Sequence, residues 1–278
     1  VRQLVDYVER VRHGERVSPP QLADKELARL AAATEAMRRE IDGKAYVEQY
    51  VHTLTHEMKS PLSAIRGAAE LLQEADVPEP MRARFLANID SESSRLQRLV
   101  DRLLSLAGVE KRQALEQTET VDLAEIATIE LEAKRPLAER KGLTLTLECD
   151  ADCSLAGDRF LLEQAISNLL DNAIEFSLPG GAITLQISTS GTALSLRVRN
   201  DGPAVPDYAL DRVFERFYSL PRPDGQRKST GLGLSFVREI ARLHRGRVSL
   251  HNRAEGGVEV EMVLDRTQQE REGSAPLS

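Results

Sequence analysis

Apolar residues recur every three or four positions through the first 110 residues, which is the spacing of amphipathic helices. A first short stripe, Leu4, Val8 and Val11, predicts one helix. Consecutive prolines in the segment 17–20 then interrupt the pattern, because proline cannot continue a helix. We therefore expect two short helices around a proline-containing connector before a long helical region begins.

A line of positions seven residues apart follows, as in coiled coils and helical bundles. Its members are Leu30, Met37, Lys44, Val51, Met58, Ile65 and Leu72. The second apolar position of this repeat moves by one residue at Gly43, where helix propensity is low. Gly43 therefore marks either a simple linker or a junction through which helix rotation is transmitted.

The same period returns after a proline-containing turn at residues 76–80 and continues to Gly108. Two long amphipathic helices joined by a short turn predict an antiparallel hairpin. One hairpin cannot bury so wide an apolar stripe, and two hairpins can do so by pairing into a four-helix bundle. We therefore expect a homodimer.

Beyond about residue 118 the pattern changes to alternating strands mixed with helices. Strands are predicted at 144–148, 182–190, 192–199, 247–252 and 258–264, and helices at 159–177 and 233–244. This arrangement predicts an α+β sandwich in which one sheet carries a layer of helices. The fold class is therefore a multidomain one, a helical-hairpin dimer followed by an α/β sandwich, with a polar tail that frays.

Amino-acid composition limits the class of protein and the kinds of partner that this chain can have. The 278 residues are 41% hydrophobic and 29% charged, which indicates a globular protein, and the net charge of −7 argues against a nucleic-acid partner. No stretch approaches the roughly 18 apolar residues of a membrane span, and no signal peptide is visible, so we expect a soluble chain. Because it starts at Val1, we expect it to be a fragment. Cys149 and Cys153 are expected to be free core thiols.

The first candidate for chemistry is His56, which the heptad pattern places at the position farthest from the core. A surface helix histidine is commonly a bystander. Here Glu57 can orient the imidazole and leave one ring nitrogen as a nucleophile. Pro61 kinks the helix just beyond it, and Ser60 lies on nearly the same face as Glu57. A metal site formed by His52 and His56 is a minor alternative.

The second candidate is a pair of amides, Asn168 and Asn172, four residues apart on one face of a predicted helix. Asparagine is a poor residue inside a helix, so the pair requires an explanation. Neutral oxygen ligands suit Mg²⁺ that also binds phosphate.

The third candidate is a set of glycines. Gly202 follows a strand, while Gly231 and Gly233 open a helix whose first amides can contact phosphate oxygens. Between them, residues 221–230 predict a mobile loop that offers cations to anionic ligands: Arg222, Arg227 and Lys228.

In this order the motifs resemble those of sensor histidine kinases. Five boxes match the family, at residues 56–62 (H-box), 168–177 (N-box), 200–206 (first glycine box), 214–218 (F-box) and 231–234 (second glycine box). The resemblance covers roughly residues 45–266. Residues 1–42 resemble a HAMP signal relay. The implied domains are 1–42, the dimerisation and phosphotransfer hairpin 43–112, the ATP-binding domain 118–266 and the tail 267–278.

The resemblance implies a mechanism. His56 would accept the γ-phosphoryl group of ATP, with Glu57 activating it, and pass the group to an aspartate of a response-regulator receiver domain. Glu57 and Ser60 also match the family's phosphatase signature. Mg²⁺ is implied at Asn168. ATP contacts are implied at Asn168, Asn172, Phe176, Asn200, Gly202, Arg216, Lys228, Gly231 and Gly233. An upstream sensor in a bacterial inner membrane, with this chain as its cytoplasmic part, is implied too.

Three residues depart from the family pattern. Asn200 stands where an aspartate usually reads the adenine amino group, Ala204 replaces a glycine, and Glu175 replaces a lysine near the phosphates. These changes put the strength of the kinase in question. Three alternatives stay open: a weak kinase acting mainly as a phosphatase, a docking scaffold with a dead ATP site, and a sister ATPase of the chaperone or mismatch-repair type, which the H-box hairpin disfavours.

Overall fold

A computed structural model describes residues 2–12, 20, 24–74, 76–116, 118–150, 152–221 and 230–266 of the chain. The predicted proline break, apart from Pro20, and the predicted frayed tail lie outside these residues. The chain divides into two compact units, Val1–Ser63 and Ala64–Ser278. No helix among the described residues is long and apolar enough to cross a membrane.

The first unit begins with α1, Arg2–Arg12, which is followed by the start of α2. Tyr7 of α1 is buried, and its hydroxyl donates a 2.7 Å hydrogen bond to Oε2 of Glu35 in α2, which is buried as well. Val8 of the predicted apolar stripe is instead 39% exposed. The two helices therefore meet through a polar pair that the hydrophobic pattern did not indicate.

Helix α2 spans Lys25–Leu72 without interruption. The backbone stays helical through Gly43, so the phase shift of the heptad pattern occurs inside one helix. Pro61 also lies within it and is buried. Because proline has no N–H, it cannot donate the helical hydrogen bond to the carbonyl of Glu57, one turn earlier.

Helix α3, Glu79–Lys111, belongs to the second unit. It begins inside the segment predicted as a turn, with Pro80 in its first turn, where a missing N–H costs nothing. It also continues past Gly108, whose surroundings are open, to the C-cap Arg112. Its buried residues are Leu99, Leu106 and Val109.

The rest of the second unit is the predicted sandwich. Five strands form a sheet in the order β2-β4-β5-β7-β6. Their bounds are β2 Thr144–Cys149, β4 Ala182–Ser190, β5 Ala193–Asn200, β6 Arg247–Asn252 and β7 Val258–Asp265. β2 pairs with β4 in parallel, and the other neighbours are antiparallel. Alternate residues of β5 and β7 are buried, so one face of the sheet packs against helices.

Those helices are α4, Leu123–Arg140, α5, Arg159–Phe176, and α7, Gly233–Leu243. A short α6, Asp207–Leu210, and a two-stranded sheet of β1, Glu119–Asp122, and β3, Ser154–Gly157, complete the unit. The hydrophobic pattern predicted α5 and α7 but not α4, α6, β1 or β3. The side chain of Asp122 accepts the N–H of Ala124 and so caps α4, a signal that was available in the sequence.

The two cysteines differ in environment. Both are free, as expected, and Cys153 is buried, where burial raises the pKa of its thiol. Cys149 is exposed, so the prediction that it is a core thiol is wrong. It is the last residue of the edge strand β2, and it is exposed although strand alternation places it on the same face as the half-buried Leu145 and Leu147.

His244, at the C-cap of α7, is fully buried and joins two helices. Its Nδ1 lies 2.8 Å from the carbonyl oxygen of Ile240, and its Nε2 accepts the N–H of Asp158, the N-cap of α5, at 3.1 Å. Nδ1 therefore carries the proton, and the ring is neutral. Burial lowers the pKa of this imidazole, because the charged form is disfavoured away from water.

We expect the free energy of unfolding to decrease as the pH falls below about 6.5, the ordinary pKa of histidine. Below that pH the unfolded chain binds a proton at His244 and the folded chain does not. The unfolding free energy therefore changes by at most about 1.4 kcal/mol per pH unit. The loss levels off once the pH is below the lowered pKa of the folded state. Urea unfolding between pH 5 and 8 measures this.

The matched variants are His244→Gln and His251→Gln, the latter at an exposed residue of β6. Replacing His244 should remove the change of slope near pH 6.5, and replacing His251 should leave it in place. The same pH profile in the wild-type protein and in His244→Gln would contradict the assignment.

Candidate functional site

A cavity of about 360 Å³ lies where α5, the inner face of the sheet and the start of α7 meet. Its walls include six of the residues that the sequence analysis proposed for ATP: Asn168, Asn172, Phe176, Asn200, Gly231 and Gly233. Aliphatic and proline side chains form most of the rest. Such a cavity, largely apolar with a few convergent polar groups, is typical of a small-molecule site.

The two amides of α5 face this cavity as their spacing predicted. Nδ2 of Asn168 donates a 2.7 Å hydrogen bond to the carbonyl of Gln164. A Cβ added at Gly233 would lie 3.3 Å from Oδ1 of Asn168 and 3.4 Å from Nδ2 of Asn172. Nδ2 of Asn172 is buried and has no hydrogen-bond partner among the described residues. An unpaired buried donor costs about 1–3 kcal/mol, so a ligand acceptor would stabilise it.

The third amide, Asn200, comes from the last position of β5. It is 6% exposed and follows Leu194, Leu196 and Val198 on the buried face of the strand. Its Nδ2 also has no partner within the part of the chain that the structure describes. Two residues that line one cavity, from different elements, thus each carry a buried donor without a described partner.

Gly202 and Gly231 allow the backbone to come close around the cavity. A Cβ at Gly202 would lie 2.3 Å from the carbonyl oxygen of Phe176 and 2.8 Å from Nδ2 of Asn200. Gly231 has φ +64°, and its carbonyl accepts the N–H of Phe217, which itself has φ +61°. Only glycine fits either position without displacing a neighbouring backbone.

Asn252 fixes the loop that follows Gly202. Its side chain accepts the N–H of Val205 at 2.8 Å and donates to the carbonyl of Val205 at 2.7 Å. Residues 203–206, which form one wall of the cavity, are therefore tied to the end of β6. The sequence analysis did not identify this residue, because the pairing joins positions 47 apart in the chain.

A second residue that the sequence analysis missed is Arg102 of α3. It lines the cavity, with Nη1 3.4 Å from Oγ1 of Thr230 and Nη2 3.8 Å from Oδ2 of Asp171. Lys134 donates to the other carboxylate oxygen of Asp171 at 2.6 Å. Apart from Arg102, the charged residues among the described lining are the acids Asp171 and Glu175. No sequence pattern connects α3 with this cavity.

Three proposed ATP contacts, Gly202, Arg216 and Lys228, are not among the described residues of those walls. Arg216 forms an ion pair with Glu110 of α3, and it is absent from the described lining. Lys228 lies outside the described residues, as do Arg222 and Arg227. A role for Arg216 in ATP binding therefore stays a prediction with no contact that favours it.

The other candidate site is in the first unit. His56 is exposed on α2, and its ring centroid lies 4.6 Å from that of His52. Glu57 is half-buried and Ser60 is exposed one turn after His56. No group of three or more His, Cys, Asp or Glu residues suitable for a metal occurs in the described ranges, so nothing favours the metal alternative.

Two protein-family models match this chain. Residues 46–112 match the model of the His Kinase A (phospho-acceptor) domain, and residues 157–268 match that of the histidine kinase-, DNA gyrase B-, and HSP90-like ATPases. His56 falls in the first match and the cavity amides in the second. The chain belongs to the sensor histidine kinases, which confirms the resemblance that the motifs indicated.

Individual relatives refine this assignment. The chain is 47% identical to Sensor protein CreC of Escherichia coli (strain K12) over 266 residues, covering 96% of this chain and 55% of that protein. It thus spans about half the length of this curated relative. Within the family, the segments 44–50, which lead into the H-box, and 214–221 resemble this CreC type.

Solved structures share the architecture. Full-length ShkA in complex with AMPPNP matches with a TM-score of 0.58 and 26% identity, over 78% of this chain and 45% of that one. Histidine kinase ThkA, in a complex with the response regulator protein TrrA, matches with a TM-score of 0.68 and 22% identity, over 90% and 70%. The ThkA likeness shows the fold alone.

Proposed function

We propose that this chain is the kinase core of a two-component sensor, which autophosphorylates His56 from ATP and transfers the phosphoryl group to a response-regulator aspartate. The observation that carries the proposal is the pair of buried, unpartnered amide donors, Asn172 and Asn200, in a cavity of the ATPase domain. The same chain presents an exposed histidine in the phospho-acceptor domain.

The residues around the cavity fit ATP. Asn200 and the backbone at Gly202 would hold the adenine, with Phe176 beside it, and Asn172 would donate to a phosphate oxygen. The first amides of α7, near Gly231 and Gly233, would also meet the phosphates. ATP bound there would supply the phosphoryl group, and catalysis would come mainly from positioning and charge stabilisation.

Mg²⁺ fits the same end of the cavity. Nδ2 of Asn168 is held by the carbonyl of Gln164, which directs Oδ1 away from that carbonyl and towards Gly233. A neutral amide oxygen is a suitable ligand for Mg²⁺, which would neutralise phosphate charge there. Arg102 is the described cavity residue that could add a further positive charge.

At the acceptor, Glu57 would take a hydrogen bond from one ring nitrogen of His56 and leave the other to receive the phosphoryl group. Ser60 would position water in the reverse reaction on the phosphorylated regulator. Pairing of two phosphotransfer hairpins would make the active form a homodimer. Exposed apolar side chains on α3 support this, among them Leu86, Val100 and Leu104.

The domain plan remains a proposal as well: a HAMP-like relay at 1–42, the phosphotransfer hairpin at 43–112, the ATP-binding domain at 118–266 and a tail. In the whole protein, the relay would connect this cytoplasmic part to a sensor in the inner membrane. The 47% identity to a protein named as a sensor supports a link to a sensing part.

The test is incubation of the purified chain with [γ-³²P]ATP and Mg²⁺, followed by acid and base treatment of the labelled protein. A phosphorylated histidine is labile to acid and stable to base, so we expect label with that signature. Label that survives acid, or no label in a protein shown to bind ATP, would contradict autophosphorylation on histidine.

A second function is favoured by the charge of the cavity. Glu175 adds an acid to the described lining, beside Asp171, and Asn200 is neutral. A weak kinase that mainly dephosphorylates its regulator would result. Addition of the chain to a phosphorylated receiver domain, with and without ADP, measures this activity directly.

A further inference from the structure

The amide of Asn200 is the starting point for a prediction about which nucleotides the cavity accepts. Asn200 is only 6% exposed. It lies on the inner face of the sheet, in the wall of the cavity. Its Nδ2 finds no hydrogen-bond partner among the described residues. The protein therefore leaves one polar group at this end of the cavity for a ligand to satisfy.

The neighbouring carboxylate does not take that role. Oδ2 of Asp201 accepts the N–H of Ala182 at 3.0 Å, and its Oδ1 lies 3.4 Å from Nη1 of Arg253. Asp201 is absent from the described lining of the cavity, whereas apolar residues of the same sheet, Val198, Val258 and Val260, belong to it. The polar group offered to a base by this sheet is thus a neutral amide.

An amide differs from a carboxylate because it carries a donor and an acceptor on the same carbon. Rotation about the last side-chain torsion exchanges the positions of the donor and the acceptor. The angles that this torsion adopts are broadly distributed, with a roughly two-fold preference. No described protein group holds Nδ2 of Asn200 in one orientation. The side chain can therefore present oxygen or nitrogen to the same point in the cavity.

The edge of a purine base that carries C6 and N1 needs either the amide oxygen or the amide nitrogen opposite C6. A 6-aminopurine offers an N–H donor at C6 and an acceptor at N1, and a 6-oxopurine offers an acceptor at C6 and an N–H donor at N1. Asn200 can form two hydrogen bonds with either edge, with its amide turned by half a revolution. A carboxylate has no donor, so it accepts from the 6-amino group of one edge or from N1–H of the other and leaves the acceptor of either edge, N1 or the 6-oxo oxygen, without a hydrogen bond.

We propose that this cavity binds 6-oxopurine nucleotides as well as adenine nucleotides, with Asn200 as the residue that permits both. The proposal rests on the proposed function, since it requires a purine nucleotide in this cavity. Inosine nucleotides isolate the effect, because guanine adds a 2-amino group that introduces a separate steric requirement. The diphosphates are the suitable probes, because they cannot phosphorylate the protein during the measurement.

The experiment is calorimetric titration of the chain with ADP and with IDP in the presence of Mg²⁺, for the wild type and for Asn200→Asp. We expect the wild type to bind IDP within about tenfold of ADP, because both edges are satisfied. Asn200→Asp should weaken the binding of both ADP and IDP, since its carboxylate can form one hydrogen bond with either edge instead of two. Thermal unfolding of the variant establishes that it is folded.

The outcomes separate the two proposals. Wild-type binding of ADP with IDP more than about tenfold weaker would overturn this inference and leave the proposed function intact. Unchanged affinity for both ADP and IDP in folded Asn200→Asp would do the same, because it would show that the side chain does not contact the base. Binding of neither nucleotide would overturn the proposed function as well. If Asn200→Asp does not fold, the ratio of the two wild-type affinities decides alone.

Discussion

Replacement of His56 by glutamine should abolish incorporation of acid-labile phosphate from ATP, a reduction of at least about a hundredfold, because it removes the accepting nitrogen. Glutamine keeps a polar, helix-compatible side chain at an exposed position of α2, so the fold should be unaffected. The measurement is the initial rate of labelling from [γ-³²P]ATP. ADP binding by the variant should equal that of the wild type, which separates loss of the acceptor from loss of the nucleotide site.

His52 supplies a stringent control for that result. It lies one turn earlier on the same helix, it is exposed, and its ring is 4.6 Å from that of His56. His52→Gln should label within about twofold of the wild type, as for a surface substitution outside the chemistry. If His52→Gln removes the label and His56→Gln keeps it, the acceptor has been assigned to the wrong histidine.

The second large effect, a loss of stability, is expected when Gly231 is replaced by alanine. An alanine there would have to adopt φ near +64°, which costs about 1–2 kcal/mol for a residue with a Cβ. Its Cβ would also lie 2.5 Å from the backbone carbon of Phe217 and 2.6 Å from the carbonyl oxygen of Tyr218. These are backbone atoms, so no side-chain rotation relieves the contact. We expect Gly231→Ala to lose at least about 2 kcal/mol of unfolding free energy.

Gly233, two residues later in the same motif, should behave differently. Its added Cβ would meet only side-chain atoms of Asn168 and Asn172, at 3.3 Å or more, and it opens a helix that alanine favours. Gly233→Ala should therefore change the unfolding free energy by no more than about 0.5 kcal/mol. Chemical denaturation of both variants checks the contrast, and equal destabilisation would show that the conformation at Gly231 is not the cause.

Much of the secondary structure could be predicted from the sequence. The bounds of β4, β6 and α5 agree with the patterns within one residue, because alternation and helical spacing are local signals that burial on one face preserves. The sequence pattern did not predict helix α4, because Pro136 lies inside it and polar residues dominate its second half. Its existence depends on packing against α5 and β2, which the sequence does not display.

By itself, the sequence determined the family, the order of the domains and the residue types of the cavity, since motif spacing is a property of the chain alone. Only the tertiary structure brought Arg102 of α3 to that cavity, tied the 203–206 loop to Asn252 and left Nδ2 of Asn200 buried without a partner. These features join residues far apart in the chain, and burial and hydrogen-bond satisfaction are defined only once the elements have packed. Local patterns therefore name the candidate residues, and packing decides which polar atoms remain available to a ligand.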